Sequence, residues 1–334
     1  MLNPASSNNV GIAVAGEALI DLIGRPDGTF LPCMGGAPYN LARALALQDV
    51  NTMYLNPLSA DRFGRMLSKQ LQNDGVNLAC EAPVPQTTAL AVVSINESGH
   101  PDYAFYREGV ADREVTTQGL NHACNIKPGL KVVCTGALAL DPRDASIYLT
   151  WLEAQRLAGR YVVVDANLRP SVMSDLSSYR RNVLTTLAIA DLIKVSDEDL
   201  VNLGWGEVDP VKAARELLQQ TNASMLLLTM GAAGAWLLTS EFQYHAREAD
   251  KLSIADTVGA GDCFLAGFLA ALMNLITPTA SAREILAGLS ESDARGLLRH
   301  ALASASLCVQ QEGCVPPSWQ EAAEWSQRHS VVTT

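Results

Sequence analysis

The chain is short of the groups that hold anions by charge. Its 334 residues carry 24 Lys and Arg against 35 Asp and Glu, a formal net charge of −11, and the basic residues form no block. That balance argues against a nucleic-acid surface or an anionic-membrane face, so an anionic ligand must be met by backbone amides, single arginines or metal ions. Histidine is scarce as well. His100, His122, His245, His300 and His329 are widely scattered and read as surface or structural residues. The seven cysteines, at 33, 80, 124, 134, 263, 308 and 314, are odd in number and include no C-x-x-C. They suggest neither a disulfide framework nor a zinc ribbon, and reduced thiols in a cytoplasm are the simple account. No run approaches the ~20 apolar residues of a membrane span, and the first ten residues lack a basic leader segment.

Several catalytic signatures are missing too. The chain has no G-x-x-x-x-G-K-[ST], no H-E-x-x-H, no G-x-S-x-G and no H-R-D loop, and no G-x-G-x-x-G follows the first strand. A nicotinamide site is thereby disfavoured.

Short runs rich in Val, Ile and Leu recur at 10–16, 131–136, 161–166, 192–195 and 225–230, the pattern of strands buried on both faces. Helical periodicity lies between them, near 37–48, 61–74, 142–158, 178–190, 210–221, 262–275 and 293–311. Such alternation predicts an α/β fold with a parallel sheet covered on both faces. Segments 21–33 and 87–112 break it. They read as short strands with period two and turn signals, a small sheet inserted into the α/β body and set over its C-terminal edge, where ligands of α/β folds bind.

The sharpest local feature is "DTVGAGDCFLAGFLAAL", from Asp256 to Leu272. Gly259 and Gly261 permit close backbone approach, and a buried apolar helix starts near Asp262. A helix N-terminus behind glycines offers unpaired amides and a positive dipole end to an anion. Asp262 has two readings here: a helix cap, or a base taking a proton from a group attacking a phosphate held by the amides of 258–261. The segment alone leaves both open.

Six segments stand in order: "GEALID" (16–21), "GGAPYNLARAL" (35–45), "DANLRP" (165–170), "KVSDEDL" (194–200), "LLTMGAAGAW" (227–236) and "DTVGAGDCF" (256–264). Together they resemble the ribokinase-like (pfkB) carbohydrate kinases, most closely the fructokinase branch, over about residues 10 to 317. The resemblance implies one ribokinase-like kinase domain over 1–334, a three-layer α/β/α sandwich with a mostly parallel central sheet and a β lid from insertions 21–34 and 87–112. It implies ATP-dependent phosphorylation of a sugar hydroxymethyl group, fructose first, with 2-keto-3-deoxygluconate, ribose or a nucleoside as alternative acceptors. A non-catalytic sugar or nucleotide sensor on the same fold is the alternative of a different kind.

Residue by residue, the resemblance makes Asp262 the base and the amides of Gly259, Ala260 and Gly261 the anion hole. It puts Asp21, Gly35, Gly36, Asn40, Tyr103, Arg107 and Arg169 at the sugar, and Ser196, Thr229, Gly231, Gly234, Gly261 and Gly313 beside ATP. Asp199 would organise Mg²⁺ through water, and Asp256 and Val258 resemble a K⁺ loop. Read without the family, Asp21 is a polar turn residue, Asn40 a first-turn polar residue, Arg107 a solvated arginine, Thr229 to Gly234 a plain hairpin and Gly313 a helix C-cap. Three features depart from the family pattern: Ala166 stands where Pro is usual, Asp199 stands where Glu is usual, and Asn56-Pro57 replaces a glycine-rich strand end. Apolar alternation in both lid segments predicts a homodimer in which two lids pack together. The expected partners are a small sugar and ATP, with no nucleic acid and no membrane.

Overall fold

A computed structural model describes residues 11–25, 27–95, 101–276 and 282–333; the side chains at 94, 95, 101–103, 282 and 287, including that of Tyr103, lie outside the description, as does His100. In chain order, β1 (Gly11–Val14) leads to β2 (Leu19–Gly24) and β3 (Phe30–Gly35), then α1 (Ala37–Leu47), β4 (Asn51–Tyr54), α2 (Arg62–Asn73) and β5 (Asn77–Leu78). Next come β6 (Ala89–Ile95), β7 (Pro101–Tyr106), α3 (Thr117–Ile126), β8 (Leu130–Gly136), α4 (Ala145–Leu157), β9 (Tyr161–Asp165) and α5 (Leu176–Ile189). The chain continues through β10 (Leu192–Ser196), α6 (Asp197–Leu200), α7 (Pro210–Gln219), β11 (Met225–Thr229), β12 (Ala235–Thr239) and β13 (Gln243–Glu248). It closes with α8 (Ala260–Met273), α9 (Ala282–Ala287), α10 (Glu291–Cys308), α11 (Trp319–Arg328) and β14 (Val331–Thr333).

Among the described residues the main sheet has ten strands in the order β14-β13-β12-β11-β10-β9-β8-β1-β4-β5. From β11 to β5 all neighbours are parallel, and β12, β13 and β14 extend one edge antiparallel. The apolar runs become strands because both faces are covered, and β1 shows how. Ile12 and Val14 enter a core with residues of α1, α2, α8 and α10. Ala13 enters the opposite core, with Trp151 of α4, Val183 of α5 and Leu217 of α7. Side chains alternate across a strand, so this division makes three layers.

The chain runs from β1 to β4 on one side and returns to β8 on the other, which puts a topological switch point at the C-terminal ends of β1 and β8. Ligands of open α/β sheets bind in that crevice. Over it stands a four-stranded sheet, β3-β2-β6-β7, with β2 and β6 parallel and the other pairs antiparallel. Its strands lie at or beside the expected segments 21–34 and 87–112, with β2 beginning two residues earlier at Leu19 and β3 ending at Gly35.

Several expectations need correction. Asp21 lies within β2, paired with Cys33 and Ala91, so it is a lid-strand residue and not a turn residue of strand one. Helix α8 begins at Ala260 behind the left-handed Gly259. Helix α10 ends at Cys308, so Gly313, with φ of 71°, turns the following loop and is not a C-cap. The strands β5, β13 and β14 and the helices α3, α6, α9 and α11 were not anticipated.

Candidate active site

Residues drawn from four parts of the fold meet where α8 points its N-terminus at the crevice. Gly259 has φ of 77°, and a Cβ there would lie 2.3 Å from Cys314 Sγ, so glycine is required twice over. The amide of Ala260 closes a turn onto the Thr257 carbonyl at 3.2 Å, and thus one of the three expected anion-hole donors is already engaged. Gly261 and Asp262 occupy the first helical turn, whose amides have no intrahelical partner. A Cβ on Gly261 would stand 3.2 Å from Lys194 Nζ, so the bare glycine lets the lysine reach this turn.

Asp262 does not cap its helix: no side chain caps α8. Its Oδ2 instead accepts a 2.9 Å hydrogen bond from Asn40 Nδ2, donated from the first turn of α1. The carboxylate is 7% exposed. Burial and the nearby Asp165 push its pKa up to about 7, against the pull of Asn40, Lys194 and Arg169. A group poised there can both orient a hydroxyl and accept its proton near neutral pH.

Lys194, in the middle of β10, and Asp165, the last residue of β9, form a buried pair with both carboxylate oxygens 2.9 Å from Nζ. Burial pulls the ammonium down, but Asp165, Asp199 and Asp262 together outweigh it and hold the lysine charged. Neither residue of the pair was picked out from the sequence. A lysine inside a buried strand pattern carries no local sign of where its amine ends.

Glu17 was also missed. It is buried at 3% exposure, and its Oε1 accepts the Ala37 amide at 3.2 Å. Desolvation pushes its pKa up to about 7, opposed by Arg107. Glu17 Oε2, Asn40 Oδ1 and Thr135 Oγ1 are buried without a hydrogen-bond partner. Buried polar atoms are ordinarily satisfied, so three of them at one crevice mark a place for a ligand rich in hydroxyls. Thr135, Asp165 and Asp262 also line a small cavity with Pro38 and Leu41.

On the lid side, Asp21 lies over Gly35, where a Cβ would stand 2.3 Å from its Oδ2. Burial raises the Asp21 pKa to about 6, opposed by Arg169. Arg169 is exposed, and its Nη1 donates to the Leu168 carbonyl at 3.0 Å. Gly36 has φ of 106°, with the Glu17 carbonyl 2.6 Å from its ideal Cβ position. Arg107 is not the solvated arginine of the plain reading. It is 5% exposed, follows β7, and pairs with Asp112 at 3.5 Å and Asp141 at 3.9 Å. Asn56 is a clamp: it accepts from the Gly16 amide and donates to the Asp112 carbonyl and the Tyr148 hydroxyl, each at 2.8 Å.

The expected nucleotide residues lie along the same sheet edge. Ser196 and Thr229 are register partners at the ends of β10 and β11. Gly231 and Gly234 turn the β11–β12 hairpin with φ of 51° and 92°. Asp199 forms a capping box with Ser196, and its other oxygen accepts the Leu168 amide at 2.7 Å. Asp256 accepts the amides of Val258 at 3.1 Å and Gly313 at 2.9 Å, which fastens Gly313 beneath the 256–261 loop. The larger cavity among the described residues, about 1040 Å³, lies between the lid and 141–143 and 172–178, with Arg107 on its wall and Asp262 absent from it. We place the chemistry at Asp262, because reacting groups and not empty volume define a site.

A family model described as pfkB family carbohydrate kinase matches residues 11–321. A fructokinase of Vibrio alginolyticus is 32% identical over 263 residues, which is 78% of this chain and 83% of that protein. In fold, the chain is similar to a fructokinase from Xylella fastidiosa crystallised with bound ATP, with a TM-score of 0.82 at 24% identity over 95% of this chain and 98% of the other. It is also similar to a double-mutant fructokinase from Vibrio cholerae O395 in a fructose-, ADP- and potassium-bound form, with a TM-score of 0.76 at 23% identity over 95% and 98% of the two chains.

Proposed function

The chain belongs to the pfkB family of carbohydrate kinases, and from that premise we propose that it transfers the γ-phosphoryl group of ATP to a hydroxymethyl oxygen of a sugar, fructose being the preferred acceptor. The observation that carries the reading is Asp262, a buried carboxylate in the first turn of α8 that is not spent on the helix cap and is aimed by Asn40. The fructokinases among the relatives support the choice of sugar.

In this reading the sugar lies between Asp21, Asn40, Glu17 and the lid, with Arg107 and Arg169 at its edge. Carboxylates accept hydrogen bonds from neighbouring hydroxyls, and the unpartnered Glu17 Oε2 and Asn40 Oδ1 supply acceptors on the body side. ATP runs past Ser196, Thr229, Gly231, Gly234 and Gly313 with its phosphates toward Gly259 to Gly261. In a loose phosphoryl transition state the nucleophile needs positioning more than strong deprotonation. Asp262 therefore orients the hydroxyl and takes its proton late, while first-turn amides, the helix dipole and Lys194 meet the charge on the transferred group.

Asp165, Asp199 and Asp262 set three carboxylates around Lys194, with the Asp165 oxygens on Lys194 and the Asp199 oxygens on backbone amides. Mg²⁺ would therefore be reached through its waters, which it keeps readily; Asp199 would hold it that way, and the ion would offset the charge of the ATP phosphates. Asp256 and the Val258 carbonyl would hold K⁺. Ile23, Phe30, Leu31 and Tyr106 are 38%, 51%, 40% and 61% exposed on the lid, which supports a homodimer through that face; light scattering that gives only monomer counts against it. The free thiols support a reducing cytoplasm.

The test is ADP release over a panel of sugars and nucleosides with Mg²⁺ present. Fructose should give the highest kcat/KM, and a nucleoside or a ketodeoxy acid that outruns it by a wide margin overturns the acceptor assignment.

A further inference from the structure

Three thiols converge directly beneath the Gly259 turn, although no cysteine motif is present in the sequence. The sulfur atoms of Cys263, Cys308 and Cys314 all lie within 4.8 Å of one another. Cys263 is the fourth residue of α8 and Cys308 the last of α10. Cys314 is brought back over Cys308 by the loop that Gly313 turns and Asp256 fastens. Cys263 and Cys308 are fully buried, and Cys314 is half-buried, so the cluster has one side open to entry.

We propose that Cys263, Cys308 and Cys314 form a binding site for one thiophilic divalent cation of the Zn²⁺ or Cd²⁺ type. Thiolate sulfur sits about 2.3 Å from zinc, which in a tetrahedron separates sulfurs by roughly 3.8 Å. The observed spacing needs to close by no more than about 1 Å to reach that geometry. The fourth position is left to water entering past Cys314. Each thiol that ligates releases its proton to solvent, and no oxidant or reductant takes part. The competing account is that these cysteines only fill space, as buried cysteines often do. Filling space does not require three sulfurs to face one point, and the other four, Cys33, Cys80, Cys124 and Cys134, are outside the cluster.

None of the three thiols is given a part in the kinase reading, but the site borders it: Cys308 Sγ donates to the Val258 carbonyl at 3.6 Å. The Gly259 Cβ direction points into Cys314, so an ion held there fixes the turn that opens α8.

The experiment titrates Cd²⁺ into the reduced, chelator-dialysed full-length chain at constant K⁺. It follows the thiolate-to-cadmium charge-transfer absorption and, in parallel, the thiols that react with a disulfide reagent. The expected result is saturation at one Cd²⁺ per chain with three thiols protected, and displacement by Zn²⁺ without loss of protection. Cys314→Ser, at the half-buried position where folding is least at risk, should weaken binding about tenfold or more, while Cys80→Ser should leave it unchanged. Absence of a saturable band in the wild-type chain overturns the proposal whatever the variants do. So does unchanged binding in Cys314→Ser, or a loss of free thiols without metal that dithiothreitol reverses, which would identify a disulfide pair.

Discussion

Asn40 Nδ2 lies 2.9 Å from Asp262 Oδ2, although 222 positions separate the two residues in the chain. The bond ties the first turn of α1 to the first turn of α8 across the mouth of the crevice. It leaves Asp262 Oδ1 to meet a substrate hydroxyl, and it leaves Asn40 Oδ1 buried and unpartnered. In the proposed reading one amide thus aims the base and offers an acceptor to the same ligand, which gives a reason to bury a polar residue at this point of α1.

Asp262→Asn tests the base. A helix cap would be kept by Asn, but Asp262 caps nothing, and an amide cannot accept the hydroxyl proton. We expect kcat to fall by roughly 10²-fold or more. The folded state should not suffer, because burial already disfavours the charged form of Asp262. Turnover and the thermal midpoint measured on one preparation check both halves, and near wild-type kcat would remove Asp262 from the mechanism.

The same burial predicts opposite pH trends for activity and stability. The folded pKa of Asp262 lies at about 7, above its ordinary 3.8, and that of Glu17 at about 7, above 4.5. A carboxyl with a raised folded pKa keeps its proton longer folded than unfolded, so stability falls as pH rises between the two values. The ligand-free thermal midpoint should therefore decrease from about pH 5 to about pH 8. Over the same range kcat/KM should climb as Asp262 ionises. Asp262→Asn and Glu17→Gln should each flatten part of the stability slope, and an unchanged slope in both would mean that these carboxyls are not proton-bearing in the folded chain.

Much of the fold was legible because burial on two faces writes itself as unbroken apolar runs: β1, β8, β9, β10 and β11 were all visible that way. The antiparallel edge was not. "QYHARE" in β13 has one polar face and no turn signature beyond Glu241 and Phe242, so only pairing with β12 shows it to be a strand. At the site, the segment around Gly259 left Asp262 open between cap and base, and only the resemblance chose the base; the structure shows no side-chain cap on α8. Lys194, Asp165 and Glu17 were passed over, each inside a segment already singled out, because their roles depend on which side of a strand end faces the crevice. The cysteine cluster was invisible for a related reason: its members come from two helices and a loop, and no spacing rule connects them.

Asn56 shows how a departure from the family pattern can be structural. Its side chain makes three buried hydrogen bonds, to Gly16, Asp112 and Tyr148, and so fixes the backbone just before Glu17. Asn56→Ala leaves those partners unpaired, each buried group costing about 1–3 kcal/mol. Relaxation and water entry should reduce the sum, and we expect a loss of about 3 kcal/mol in urea unfolding. A loss below about 1 kcal/mol would show that the clamp is replaceable.

Lys194 is the cation beside Gly261 that the proposed function places at the phosphate end, and its removal separates electrostatics from packing. Lys194→Met keeps the length of the side chain but leaves Asp165 buried beside Asp262 with no counter-charge. Breaking a buried pair from one side costs about 3–5 kcal/mol, whereas replacing both partners with neutral groups is often close to neutral. We therefore expect Lys194→Met to be strongly destabilised and the double variant Asp165→Asn with Lys194→Met to recover most of the loss. Activity should not recover with it. Neither protein has an ammonium beside Gly261, so kcat should stay low in both, and in the single variant the acidic limb of kcat/KM should move to higher pH as Asp165 repels the charge on Asp262. If the double variant regains turnover along with stability, Lys194 serves only to hold β9 and β10 together, and the transferred group is met by amides and metal alone.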